Sequence, residues 1–105
     1  MANGPKGYVI LTEAIKDPEG MKAYARAAGA AMGGVNILAV DTAPTVIEGS
    51  WHGDQTVVLE FESVDAAREW YESEGYQKAA TLRRAAADCN AVILAGFESP
   101  SAATA

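Results

Sequence analysis

The chain has 105 residues, 50% of them apolar and 21% charged, and fourteen acids against eight bases give a net charge of −6. That length suits one domain, and that composition excludes a disordered chain. The acidic balance repels phosphate backbones, and no basic patch interleaves with aromatics, so nucleic-acid binding is not expected.

Cys89 is the single cysteine. It has no partner for an intrachain disulfide and no metal-type spacing, so a reducing, cytoplasmic location is the simplest expectation. Just before the apolar run Ala91–Ala95, it reads as a small buried hydrophobe rather than a nucleophile. The start, Met1 to Gly7, has no apolar signal core, and no apolar stretch approaches the ~20 residues that span a bilayer. No membrane role is expected. Residues 1–6 and 98–105 are expected to be flexible ends around a single domain at 7–97.

Tyr8-Val9-Ile10-Leu11-Thr12 reads as a first strand. Asp17-Pro18 is a helix start, with Asp17 expected to accept orphan amide bonds. Met21, Tyr24, Ala25, Ala28, Ala31 and Met32 then share one helical face, opposite Glu19, Lys22 and Arg26, and Gly33-Gly34 stops the helix. Val35 to Val40 is a second strand. Asp41 to Pro44 is a turn, Thr45 to Glu48 is extended, and Trp51-His52-Gly53-Asp54 has turn chemistry. Thr56 to Glu62 is a third strand. Ser63 caps a helix whose buried face carries Val64, Ala67, Trp70 and Tyr71. Ser73-Glu74-Gly75 breaks it and starts another, from Tyr76 to Asp88, with the stripe Ala79, Leu82 and Ala86. A fourth strand runs from Ala91 to Phe97.

This βαββαβ order predicts an α+β, ferredoxin-like domain: a four-stranded antiparallel sheet with a split second helix. One sheet face of a lone domain of this kind meets water, so its strands should alternate apolar and polar. They do not. Strand four has no polar side chain, and strand two offers Val35, Ile37 and Ala39 on one side but Leu38 and Val40 on the other. A second copy covering the spare face is the economical solution. Covering ~600 Å² of apolar surface per subunit is worth about 15 kcal/mol before association costs.

The chain also resembles domain-of-unknown-function family 1330, in the dimeric α/β-barrel superfamily. The likeness runs over residues 7 to 97. Its pieces are Asp17-Pro18 with Tyr24, Gly33-Gly34, Glu48-Gly49 with Trp51, Val58-Leu59-Glu60-Phe61, Ala67 with Trp70-Tyr71-Glu72-Ser73, Tyr76-Gln77, and Leu82-Arg83. The resemblance implies ferredoxin-like protomers whose sheets pack face to face in a homodimer. It implies no particular reaction, since superfamily relatives include cofactor-free monooxygenases, lactone isomerases and haem-binding members. The chain departs from the family pattern at Val35 and Gln55, where relatives carry basic residues, and at Glu74, where they carry proline. The first two changes argue against an anionic ligand.

Six residues are candidates for ligand contact: Glu48, Trp51, His52, Tyr71, Tyr76 and Arg83. His52, the only histidine, is a base near neutral pH or else an exposed turn residue. Trp51, Tyr71 and Tyr76 suit an apolar pocket with a few polar groups, although Trp70 beside them reads as core. Arg83 lies near the apolar stripe and needs an acceptor, for which Glu48 is the expected partner. Glu60 and Glu62 share a side of strand three, as an acid–base pair or as charged guards of an edge. No nucleophile elbow, phosphate-binding glycine loop or dinucleotide fingerprint is present, so no cofactor and no metal site is expected. Two functions remain open: small-molecule binding in a helix–sheet cleft with cofactor-free proton transfer or oxidation, and a non-catalytic binding or assembly module.

Overall fold

The computed structural model describes residues 4–98. The elements are β1 (Gly7–Ile15), α1 (Pro18–Gly29), β2 (Asn36–Asp41), β3 (Gln55–Phe61), α2 (Val64–Glu72), α3 (Glu74–Ala86) and β4 (Ala87–Ala95). The strands form one antiparallel sheet in the order β2-β3-β1-β4, the ferredoxin-like arrangement. The ends expected to be flexible lie largely outside the described residues. Of the leading one, Lys6 is described, and its carbonyl accepts from Gly96 N at 2.7 Å.

Strand alternation divides the side chains. Val9 and Leu11 of β1 and Leu59 and Phe61 of β3 face the helices and are buried with Ala67 of α2. Fully buried leucines such as Leu11 and Leu59 each contribute about 2 kcal/mol. Trp70 packs between Phe61 and Tyr76, its ring centroid 4.0 Å from that of Tyr76, and its indole N–H donates to the Ala31 carbonyl at 2.8 Å. It is a core residue, as its helical face indicates. The α1–α3 contact is made of small side chains, Ala28 against Ala79 and Ala80, around Tyr76. At its far end, a Cβ on Gly20 would come within 2.8 Å of the Ala86 methyl, so glycine sets how closely the helices approach.

Ser63 caps α2 by accepting from Ala66 N at 2.9 Å. Ser73 ends α2 and begins α3: its hydroxyl donates to the Trp70 carbonyl and accepts from Tyr76 N. One serine thus sets the helix split.

Several elements differ from the sequence expectation. The Asp17 side chain makes no cap hydrogen bond, and Pro18 alone marks the start of α1. α1 ends at Gly29 rather than at the double glycine, because residues 30–32 tighten into i→i−3 bonds ending near the carbonyl that Trp70 takes. A bulge between Ile37 and Ala39 moves Ala39 opposite Val58 and Val40 opposite Val57, so Ile37 and Val40 share the helix side. β1 continues to Ile15, and β4 starts at Ala87, directly after α3. The buried stripe of α3 is Tyr76, Ala79, Ala80, Arg83 and Ala86, and Leu82 is exposed.

Candidate functional site

The helix side of the sheet carries a polar cluster at the Gln55 end of β3. Continuing the alternation Val9, Leu11 places Glu13 among the core side chains, where it is 0% exposed. Its neighbours in register are Gln55 and Cys89. Gln55 Nε2 donates to Glu13 Oε1 at 2.6 Å, but Glu13 Oε2 has no hydrogen-bond partner among the described residues. Burial pushes the Glu13 carboxyl above the ordinary carboxylate range, against the Gln55 hydrogen bond and the charge of Arg83, which act to lower it.

Arg83 projects from the centre of the buried face of α3 and is 2% exposed. Its guanidinium carbon lies 5.9 Å from the Tyr24 ring centroid, and its Nε has no partner among the described residues. Burial opposes its charge, but Tyr76, Cys89 and Tyr24 around it hold the guanidinium firmly protonated. The Tyr24 and Tyr76 hydroxyls hydrogen-bond each other at 2.8 Å. Burial, reinforced by Tyr76, pushes the Tyr24 phenol well above its usual range, so it stays neutral.

Beside this cluster, between α1 and the β2–β3 half of the sheet, lies a cleft of about 230 Å³. Its walls are apolar, with Leu11, Ala28, Met32, Val57, Leu59 and Trp70 among them, and Tyr24 and Gln55 are its polar lining. Small-molecule sites have this character. The exposed Ala25 is also part of its wall.

The other sheet face has a different set. The long β2–β3 connection passes under it and is fixed by Gly53. That residue has φ +87, and a Cβ there would lie 2.6 Å from the Glu13 backbone. Asp54 completes the attachment, its N–H donating to the Glu13 carbonyl and its carboxylate accepting from Ile15 N. His52 is thereby placed on the open face. Its Nδ1 is 2.7 Å from Thr12 Oγ1 and its Nε2 3.6 Å from Asp88 Oδ2. Trp51 donates to Thr56 Oγ1 at 2.8 Å. Two shallow grooves flank these residues, about 330 Å³ beside Glu48 and about 270 Å³ beside His52.

The six candidate residues therefore separate. Tyr71, Tyr76 and Arg83 gather on the helix side, with the Tyr71 and Tyr76 ring centroids 5.6 Å apart. Glu48, Trp51 and His52 lie on the open side. Glu48 is not the partner of Arg83: it lines the groove on the open face, whereas Arg83 is on the helix side, where its charge acts to lower Glu13. Glu60 and Glu62 form no acid–base pair. Glu60 accepts from Tyr8 and Asn36, which hold its carboxyl low, while Glu62 lies beyond β3, is open to water and reaches Lys6 at 3.8 Å. Tyr24 and Gln55 of the cleft, and Glu13 bonded to Gln55, are polar residues that the candidate set lacks, as Thr12 and Asp88 are beside His52. Among the described residues, no group of three or more acids, histidines and cysteines is placed to hold a metal ion.

Residues 6–97 match the family described as a domain of unknown function, DUF1330. The chain belongs to the DUF1330 family. No curated protein matches the sequence. Among solved structures, the fold is similar to that of a protein of unknown function from Rhodopseudomonas palustris, with TM-score 0.73 and 20% identity over 92% of this chain and 86% of that one. A dimeric ferredoxin-like protein of unknown function from Thermobifida fusca gives TM-score 0.62 at 15% identity, over 90% and 94% of the two chains. SnoaB of Streptomyces nogalater, described as a cofactor-independent oxygenase, gives 0.61 at 14%, over 92% and 98%. These identities establish a shared fold. Among the described residues, no helix is long and apolar enough to cross a membrane.

Proposed function

We propose that this DUF1330 protein is a cytoplasmic homodimer that binds a small organic molecule in the cleft between α1 and the sheet and handles a proton there without a cofactor. The observation that carries the reading is the apolar cleft of about 230 Å³ ending at Tyr24 and Gln55, with two orphaned buried polar atoms, Glu13 Oε2 and Arg83 Nε, in the cluster behind them. Buried polar atoms are nearly always paired, so two unpaired ones in one cluster set this region apart from the rest of the core. Glu13 is the base or acid, its affinity for a proton raised by burial. The Tyr24–Tyr76 hydroxyl pair leads from the cleft wall into the cluster. An electron-rich anion formed by such proton removal is also what dioxygen attacks without a cofactor, which keeps SnoaB's described chemistry within reach of this fold.

The homodimer rests on the open face. Val92 and Leu94 are about half exposed there, beside Ile10 and Val58 at the sheet centre, and a similar structure is described as dimeric. A contiguous apolar patch of this kind suits a self-complementary interface.

The test is a thermal-shift screen of small organic molecules on the wild type and on Ala25→Phe, which fills the cleft without touching the polar cluster. A stabilisation lost in Ala25→Phe supports the reading, and its persistence contradicts it. Stabilisation with no product by mass spectrometry selects the non-catalytic binding module.

A further inference from the structure

We infer that the cleft between α1 and the sheet takes an uncharged hydroxyl compound, an alcohol or a phenol, and that Gln55 selects it by accepting a hydrogen bond from its hydroxyl. This rests on the ligand-binding reading of the cleft. The absence of charge follows from the lining. Leu11, Met32, Val57, Leu59 and Trp70 make apolar walls, and among the described residues that line the cleft none is an acid, lysine, arginine or histidine. Glu13 is bonded to Gln55 but, like Arg83, is no part of the wall. An ion entering the cleft would leave water without meeting an opposite charge, which is costly among apolar groups, whereas an uncharged molecule loses far less.

The hydroxyl follows from which polar groups of the wall are already engaged. The Tyr24 hydroxyl is paired with that of Tyr76 at 2.8 Å, and the Trp70 N–H is taken by the Ala31 carbonyl. Gln55 Nε2 donates to Glu13 Oε1, an oxygen that accepts this bond whether or not Oε2 carries a proton. The amide is thereby committed at its nitrogen end, and among the described residues nothing donates to its carbonyl Oε1. The cleft therefore lacks a donor. A hydroxyl supplies one without charge and brings a single polar atom into the apolar walls. An amide N–H brings a carbonyl with it, and a ketone or an ether accepts only, leaving the Gln55 carbonyl unmet. A site built around one acceptor discriminates against the analogue that lacks the donor. About 230 Å³ limits the hydrocarbon part that carries the hydroxyl.

The experiment is calorimetric titration of the full chain at pH 7 with probes that share one ring: cyclohexanol, cyclohexanone, cyclohexanecarboxylate and cyclohexylammonium. Cyclohexanol is expected to bind about five-fold tighter than cyclohexanone, the weight of one neutral hydrogen bond. The two ions are expected to bind at least about a hundred-fold more weakly than the alcohol. Gln55→Leu should bring cyclohexanol down to the level of cyclohexanone and leave cyclohexanone unchanged, with circular dichroism reporting its fold. A purely structural role for Gln55 would weaken both alike, and that result would overturn the assignment of Gln55. The wild-type ratios decide the ligand class without any variant. Equal affinities for cyclohexanol and cyclohexanone, or binding of either ion as tight as that of the alcohol, would overturn the hydroxyl assignment and leave the cleft reading intact. Absence of binding by all of the probes at millimolar concentration, or binding unaffected by Ala25→Phe, would overturn both.

Discussion

The same four strands present two faces that are incomplete in opposite ways. On the helix side the apolar groups are covered, since Val9, Leu11, Leu59 and Phe61 are buried, but Glu13 Oε2 and Arg83 Nε are without partners among the described residues. On the open side three sets of polar groups are partnered, Tyr8–Glu60–Asn36, Thr12–His52–Asp88 and Trp51–Thr56, but Val92 and Leu94 stand half exposed. Unpaired buried charge is satisfied by a polar ligand, and uncovered apolar surface by another apolar surface. The two faces thus ask for different partners, and each can be perturbed without the other.

The largest expected effect is on the open side. Val92→Glu should leave the protomer folded, because the position is half exposed. In a dimer it buries a charge, so self-association measured by sedimentation velocity should weaken by about a thousand-fold or more, or ~4 kcal/mol. Gly53→Ala joins the faces. It forces a side chain into positive φ and against the Glu13 backbone, and should cost about 2 kcal/mol in urea unfolding while disturbing both His52 and Glu13. Glu13→Gln acts on the helix side alone. A carboxyl whose folded pKa is raised binds its proton more tightly when folded. The wild type should therefore lose stability as pH rises from the ordinary carboxylate value through the raised one. Thermal melts from pH 4 to pH 8 should show that decline in the wild type and its reduction in Glu13→Gln. The smallest effect belongs to Tyr8→Phe, which removes one water-accessible hydrogen bond to Glu60 and should cost about 0.5 kcal/mol.

Much of the fold was legible because local signals and burial agree. Ser63 and Ser73 mark caps with their own hydroxyls, and Trp70 sits on an apolar helical face that is in fact packed. The helix–strand junction at Ala86-Ala87 was not legible, since no glycine or proline separates the two elements and alanine suits either. The bulge at Leu38 was equally silent, although it decides that Ile37 and Val40 line the cleft. The site was half legible. Tyr76 and Arg83 are visible from their place on α3, but Glu13 is hidden because its strand continues past Thr12 on pairing with β3 and β4. Glu48 was expected as the partner of Arg83 because sequence spacing does not say under which side of the sheet a long connection runs.

The reading of the polar cluster as a place that handles a proton is tested most directly by the titration of the Glu13 carboxyl itself, followed by carbon-13 NMR with Glu13→Gln as the assignment control. Titration above the ordinary glutamate value is expected, as for a buried carboxyl that Arg83 does not hold in a close ion pair. Titration below that value would show Glu13 and Arg83 joined as a close ion pair, with no raised carboxyl left to handle a proton, and would contradict the reading.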